Sequence, residues 1–137
     1  MIENAAIFQE VLNNLYEGVY FLEANRTIAF WNRGAERITG YPAPEVMGRA
    51  CADNILCHVD REGTNLCRDK CPAAHTLEDG RPREANVFLL HKDGHRVPVR
   101  IRVAPIIDAA NRIIGVVEVF SDNSSRETLL KRNHWLR

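Results

Sequence analysis

The stretch CHVDREGTNLCRDKCPAAH, residues 57–75, holds three cysteines and two histidines, and Cys51 lies six residues upstream. Thiolates and imidazoles are transition-metal donors, and three cysteines with one histidine form a closed tetrahedral set for structural zinc. Cys67 and Cys71 are four apart, which on a helix places both thiols on one face. Cys51 and His58 precede that helix in loops that can fold over it. The expected metal ligands are therefore Cys51, His58, Cys67 and Cys71, with Cys57 and His75 as extra donors. Asp60 is the expected acceptor for the second nitrogen of His58, and Gly63 lets the backbone turn. The spacing C-x6-H-x8-C-x3-C lacks the short C-x2-C knuckle of zinc fingers.

The same residues support other chemistry. An iron–sulfur cluster takes thiolates, and Cys51, Cys57, Cys67 and Cys71 are available. A reversible Cys67–Cys71 disulfide is a thiol switch. Haem on His58 or His75 ranks behind these, because no apolar pocket is evident beside either histidine. A cysteine can also simply fill space as a small apolar group, which is the reading for Cys57. Catalysis is not expected. Cys57 and His58 are adjacent, whereas nucleophile and base must meet in space. Glu36, Glu45, Asp53, Asp60 and Glu78 show no spacing of a carboxylate pair, and no phosphate-binding glycine motif occurs. His91 and His95 flank a turn and are read as solvent-facing; His134 lies in the tail.

The elements that must carry these residues are legible in outline. The chain has 137 residues, 45% hydrophobic and 26% charged, the composition of one globular domain. Lys plus Arg equals Asp plus Glu at 18 each, so no net field favours nucleic acid or anionic lipid. The apolar runs are far shorter than a membrane span. The N-terminus has no basic region of a signal peptide. The expected location is the cytoplasm, where thiols stay reduced and cysteines point to metal or redox chemistry.

Ile7, Phe8, Val11, Leu12 and Leu15 have helical spacing within residues 2–15. GVYFLE (18–23) and TIAFWN (27–32) read as a hairpin, with Trp31 expected in the core. Asn32 caps a helix RGAERIT that stops at Gly40. One helical turn follows at Pro44–Met47, and a helix is expected over Cys67–Leu77, with Gly80 past its end. Three strands, Arg83–His91, Arg96–Ile107 and Arg112–Ser121, close the domain, the first two joined by the Asp93-Gly94 turn. Val97, Val99, Ile101 and Val103 alternate with Pro98, Arg100 and Arg102, which gives one buried and one exposed face. The fold class expected is α+β: a five-stranded antiparallel sheet with helices on one face and a helix at each terminus.

In this order the residues resemble a PAS domain. The resemblance is carried by VLNNLYEGVYFLEANRTIAFWNRGAERITGYPAPEVMG (11–48), by HKDGHRVPV (91–99) and by IIGVVEVFSDNS (113–124), and covers about residues 8–125. It implies residues 1–16 as an N-terminal amphipathic helix, 17–122 as the sensory domain and 123–137 as a signalling helix. Residues 48–80 are similar to Cys-rich PAS sensors attached to GGDEF diguanylate cyclases, matching at Cys51, His58, Cys67 and Cys71. Gly48-Arg49-Ala50-Cys51 is similar to the flavin-binding LOV branch. The Arg that follows the cysteine there is absent, so flavin is not expected.

The resemblance implies a sensory module passing a ligand, metal or redox signal to a C-terminal output domain. A diguanylate cyclase is the expected output, with a histidine kinase or transcription factor as alternatives. Zinc or iron is the expected metal. Asp122 and Ser124 tie strand to tail helix, with Arg126 placed to pair with Asp122. Leu129, Leu130, Trp135 and Leu136 give the tail an apolar set, and a homodimer is expected. The alternative is a dimerising spacer whose core is filled by Ile38, Ile55, Leu56, Leu66, Val87 and Leu89. No nucleic-acid or membrane contact is expected.

Overall fold

Asn32 joins three elements before the sheet is complete. Its carbonyl oxygen accepts the amide of Ala35 at 2.8 Å and that of Val19 at 2.8 Å. Its amide donates to the carbonyls of Leu12 at 2.6 Å and Glu17 at 3.1 Å. One buried side chain thus caps helix α2 (Arg33–Thr39) and fixes the end of helix α1 (Ile2–Asn13) against strand β1 (Gly18–Glu23). Helix α2 ends at Gly40, whose φ of +79° is the left-handed cap.

The computed structural model describes residues 2–50, 55–67 and 71–135, and side chains of residues 5–50, 55–67 and 71–132. The remaining elements are β2 (Ile28–Trp31), α3 (Ala43–Val46), α4 (Pro72–Asp79), β3 (Arg83–Leu90), β4 (Arg96–Ile107), β5 (Ile113–Asp122) and α5 (Ser124–Trp135). The sheet order is β2-β1-β5-β4-β3, antiparallel throughout, so β5 is central. Its inner face carries Tyr20 and Leu22, Val116 and Phe120, Val97 to Val103 in alternation, and Val87 and Leu89. Ile38, Val46, Ile55, Leu56, Leu66 and Ala73 pack onto that face. Trp31 is buried and its Nε1 donates to the Tyr41 carbonyl at 2.9 Å.

The α+β sheet and the helices on one face are as the sequence implies. Four details differ. Helix α4 begins at Pro72, not Cys67: proline fits the first helical position, where no amide partner is needed, and Cys71 is the cap. Cys67 instead sits in a turn, its amide held by Asn65 Oδ1 at 2.8 Å. Helix α1 stops at Asn13, and its apolar stripe is exposed at Ile7, Phe8 and Val11. Ser124 is the first helical residue of α5 rather than its cap, and the Asp122 carboxylate accepts the Ser124 amide at 2.8 Å. The ion pair that reaches the tail is Arg61–Glu127 at 2.7 Å; none joins Asp122 to Arg126 among the described residues. No described helix is long and apolar enough to cross a membrane.

Candidate functional site

The loop bearing the Cys/His stretch is fastened to the sheet edge by backbone. Val59 and Phe88 exchange amide–carbonyl bonds, each 2.9 Å, and Leu90 donates to the Leu56 carbonyl at 2.7 Å. This covers the edge of β3 and sets the direction of each loop side chain. Ile55 and Leu56 enter the core and His58 follows them, 7% exposed. Cys57 takes a left-handed φ of +45°, and its carbonyl accepts Arg96 at 2.6 Å. Asp60 Oδ1 accepts the amides of Glu62 and Thr64, closing a turn completed by Gly63.

Below this loop, β5 places a carboxylate in the core. Glu118 is 2% exposed and lies opposite Tyr20 of β1. The Tyr20 hydroxyl donates to Glu118 Oε2. The ring of Tyr20 is held by Trp31 at 5.3 Å and by Phe120, edge-on, at 5.9 Å. His58 Nε2 stands 4.0 Å from the same Oε2, proximity rather than a hydrogen bond. Burial pushes the Glu118 carboxyl up from 4.5 to about 7, against the pull of the Tyr20 hydroxyl. Burial, and then the charge of Arg96, holds His58 down at about 4, so the imidazole is neutral at pH 7 and retains a lone pair for a metal.

The thiols approach this pair. Cys57, Cys67 and Cys71 are half-buried. Burial pushes the Cys67 thiol up; the His58 backbone amide opposes this, and Cys71, Cys57 and Glu118 add to it. The thiols of Cys57 and Cys71 and the Glu118 carboxyl thus stand within electrostatic reach of Cys67, whose sulfur the His58 amide meets. Cys51 lies outside the described residues, and His75 is exposed on α4. Among the described residues, no three donor atoms of this group come within 4.8 Å of one another; the set that does is His91, Asp93 and His95. The carboxylate that stands 4.0 Å from His58 Nε2 is that of Glu118, a residue that its type alone does not single out. The signal was present: in IIGVVEVFSD, Glu118 shares strand parity with Val116 and Phe120. The chemistry on offer is that of a buried imidazole and protonatable carboxyl with half-buried thiols beside them.

A family model described as PAS domain matches residues 17–125, and the chain belongs to the PAS domain family. Such domains generally serve as sensory and signalling modules, commonly dimerise and join output domains, and are not themselves catalytic. The chain superposes on an RNA-binding light-oxygen-voltage receptor with TM-score 0.78 at 18% identity, over 96% of this chain and 36% of that one. It superposes on the PAS domain of a Colwellia psychrerythraea protein with TM-score 0.70 at 19% identity, over 88% and 95% of the two chains. The PAS domain of the fruit-fly ELK potassium channel gives TM-score 0.66 at 15% identity, over 86% and 95%. These likenesses show the fold. The chain spans about a third of the length of the light-oxygen-voltage receptor. No curated protein matches the chain in sequence.

Proposed function

We propose that this PAS domain is the sensory module of a longer cytoplasmic signalling protein. Its signal is read at the set of buried His58 and Glu118 with half-buried Cys67 and Cys71, with a transition metal, zinc or iron, as the ligand class. The observation that carries this reading is the position of Glu118. It sits on the central strand, faces a neutral imidazole, and lies four residues before Asp122, where β5 passes into α5. A cation beside His58 stabilises the ionised carboxylate that burial otherwise disfavours. His58 would bind through one nitrogen while the other faces Glu118, the carboxylate–histidine arrangement that orients metal-bound imidazoles. Cys51 completes the set on the resemblance to Cys-rich sensors, and a diguanylate cyclase is the proposed output on the same ground. A shift of β5 on binding would bias α5 between two arrangements, which requires the ligand to favour one of them.

Elemental analysis of anaerobically purified, tag-free protein, with an absorption spectrum on the same sample, tests the site. About one zinc or iron per chain that persists in His95→Gln and is lost in Cys67→Ser supports the reading. Metal-free protein, fully reduced and fully folded, overturns it.

A second reading is a dimerising spacer. It is favoured by the dense packing of Ile55, Leu56, Leu66, Val87 and Leu89 and by the exposed stripe of α1. It differs from the first in predicting a stable homodimer whose tail is indifferent to metal or thiol state.

A further inference from the structure

The turn that joins β3 to β4 holds a second donor set, distinct from the cysteine cluster. His91 and His95 do not face solvent separately, as their flanking positions suggest. The amide of His91 donates to the His95 carbonyl at 2.8 Å, and Gly94, at φ +102°, closes the turn onto the His91 carbonyl at 2.9 Å. The register puts the two imidazoles on one side, stacked with centroids 4.5 Å apart and planes 19° from parallel. Asp93 lies between them. Its carboxylate oxygen is 3.1 Å from His91 Nδ1 and bonded to His95 Nδ1.

We propose that His91, Asp93 and His95 bind one divalent first-row transition-metal ion through the two Nδ1 atoms and a carboxylate oxygen of Asp93. All three donor atoms lie within 4.8 Å of one another. A tetrahedral ion with bonds of about 2.0–2.2 Å holds its ligand atoms roughly 3.3–3.6 Å apart. The His91–Asp93 separation of 3.1 Å is close to that spacing before any ion enters. His91 Nδ1 accepts the Asp93 amide at 3.1 Å, so its one lone pair is engaged, and an ion binds there by replacing that bond, the two stacked rings turning until both Nδ1 lone pairs point at it. Behind the ring, a Cβ on Gly40 would fall 2.5 Å from His91 Cε1 and 2.8 Å from Nε2, so the bare cap of α2 makes the space the ring occupies.

Nearby cations each have an oxygen partner. Lys92 Nζ is held by both oxygens of Glu45 at 2.6 and 2.8 Å, Arg96 by the Cys57 carbonyl, and Arg37 by the Tyr16 carbonyl. Two imidazoles and one carboxylate suit zinc, nickel, copper or cobalt and leave open positions for water or an outside ligand. His91 and His95 line the same depression as Asp122 and Ser124, together with Arg37 and Arg96. An ion there lies beside the junction between β5 and α5.

The test is titration of the reduced, metal-free chain with Co2+, competed with Zn2+, followed by absorption. Expected is uptake of an ion whose d–d bands carry no thiolate charge-transfer component. That ion is weakened at least about tenfold in His95→Gln and in Asp93→Asn, since even outer partners of metal ligands cost 10–100-fold, and it is retained in Cys67→Ser. His95 and Asp93 are exposed, so thermal unfolding should report intact variants. Equal Co2+ affinity in wild type and His95→Gln, abolition of all uptake by Cys67→Ser, or no uptake at all overturns the proposal.

Discussion

Replacing Glu118 with Gln should stabilise the metal-free domain at pH 8 and leave it nearly unchanged near pH 4. The substitution keeps the shape of the protonated side chain and the acceptor for the Tyr20 hydroxyl, and removes only the ability to ionise. With its carboxyl raised from 4.5 to about 7, folded Glu118 holds a proton that the unfolded chain gives up. Its contribution to stability is complete below pH 4.5 and is lost as pH rises to about 7. At about 1.4 kcal/mol for each pH unit, the displacement corresponds to about 3 kcal/mol. His58 has the opposite sign. Its pKa falls from 6.5 to about 4, so its contribution is present above 6.5 and is lost as pH drops toward about 4. In wild type the two slopes oppose each other across their shared window and the stability profile is nearly flat. In Glu118→Gln only the histidine slope remains, so stability climbs from pH 4 to 6.5 and stays above wild type. At an unfolding entropy of about 2.1 cal/mol/K per residue, about 3 kcal/mol moves the Tm of this domain by about 10 °C. Urea unfolding of both proteins at several pH values, with chelator and reductant present, reads the difference. A difference independent of pH, or a variant less stable than wild type at pH 8, would refute the reasoning, because either outcome means that Glu118 ionises freely in the fold.

Three further outcomes follow from named contacts. Asn32→Ala leaves two amides and two carbonyls without their buried partner and should cost about 3 kcal/mol or more, read by urea unfolding. Cys67→Ser and Cys71→Ser should each remove the metal held at the cysteine cluster and lower the Tm; unchanged metal content in both variants counts against that donor set. Deleting residues 124–137 removes the exposed Leu129 and Leu130 and the Glu127–Arg61 tie, and should weaken self-association in sedimentation equilibrium.

The parts of this fold that were legible are those with local causes. Asn32 and Gly40 delimit α2 by capping chemistry, and Asp93-Gly94 sets the β3–β4 turn because glycine takes a positive φ there. The start of α4 was misplaced for a local reason as well. The i,i+4 spacing of Cys67 and Cys71 fits a helix, but Pro72 is better used as its first residue and Asn65 turns Cys67 aside. The site itself was only half legible. His58 and the cysteines stand out by residue type, whereas Glu118 and Tyr20 become partners only through strand register across a separation of 98 residues. A charged residue is read as exposed by default, and strand parity was the one available sign that Glu118 is not. His91 and His95 lie four apart on either side of a turn, and it is the hairpin that stacks them.

The central claim is that a change at the buried cluster reaches the tail helix. Amide hydrogen exchange across β5 and residues 124–132 tests it most directly, comparing chelated protein with protein restored by Zn2+. The comparison belongs in a His95→Gln background, so that the hairpin set is disabled. The account predicts that protection in β5 and α5 changes together when the ion is restored. A change confined to the loop of residues 55–67 and the start of α4, with α5 exchanging identically in both states, would contradict it.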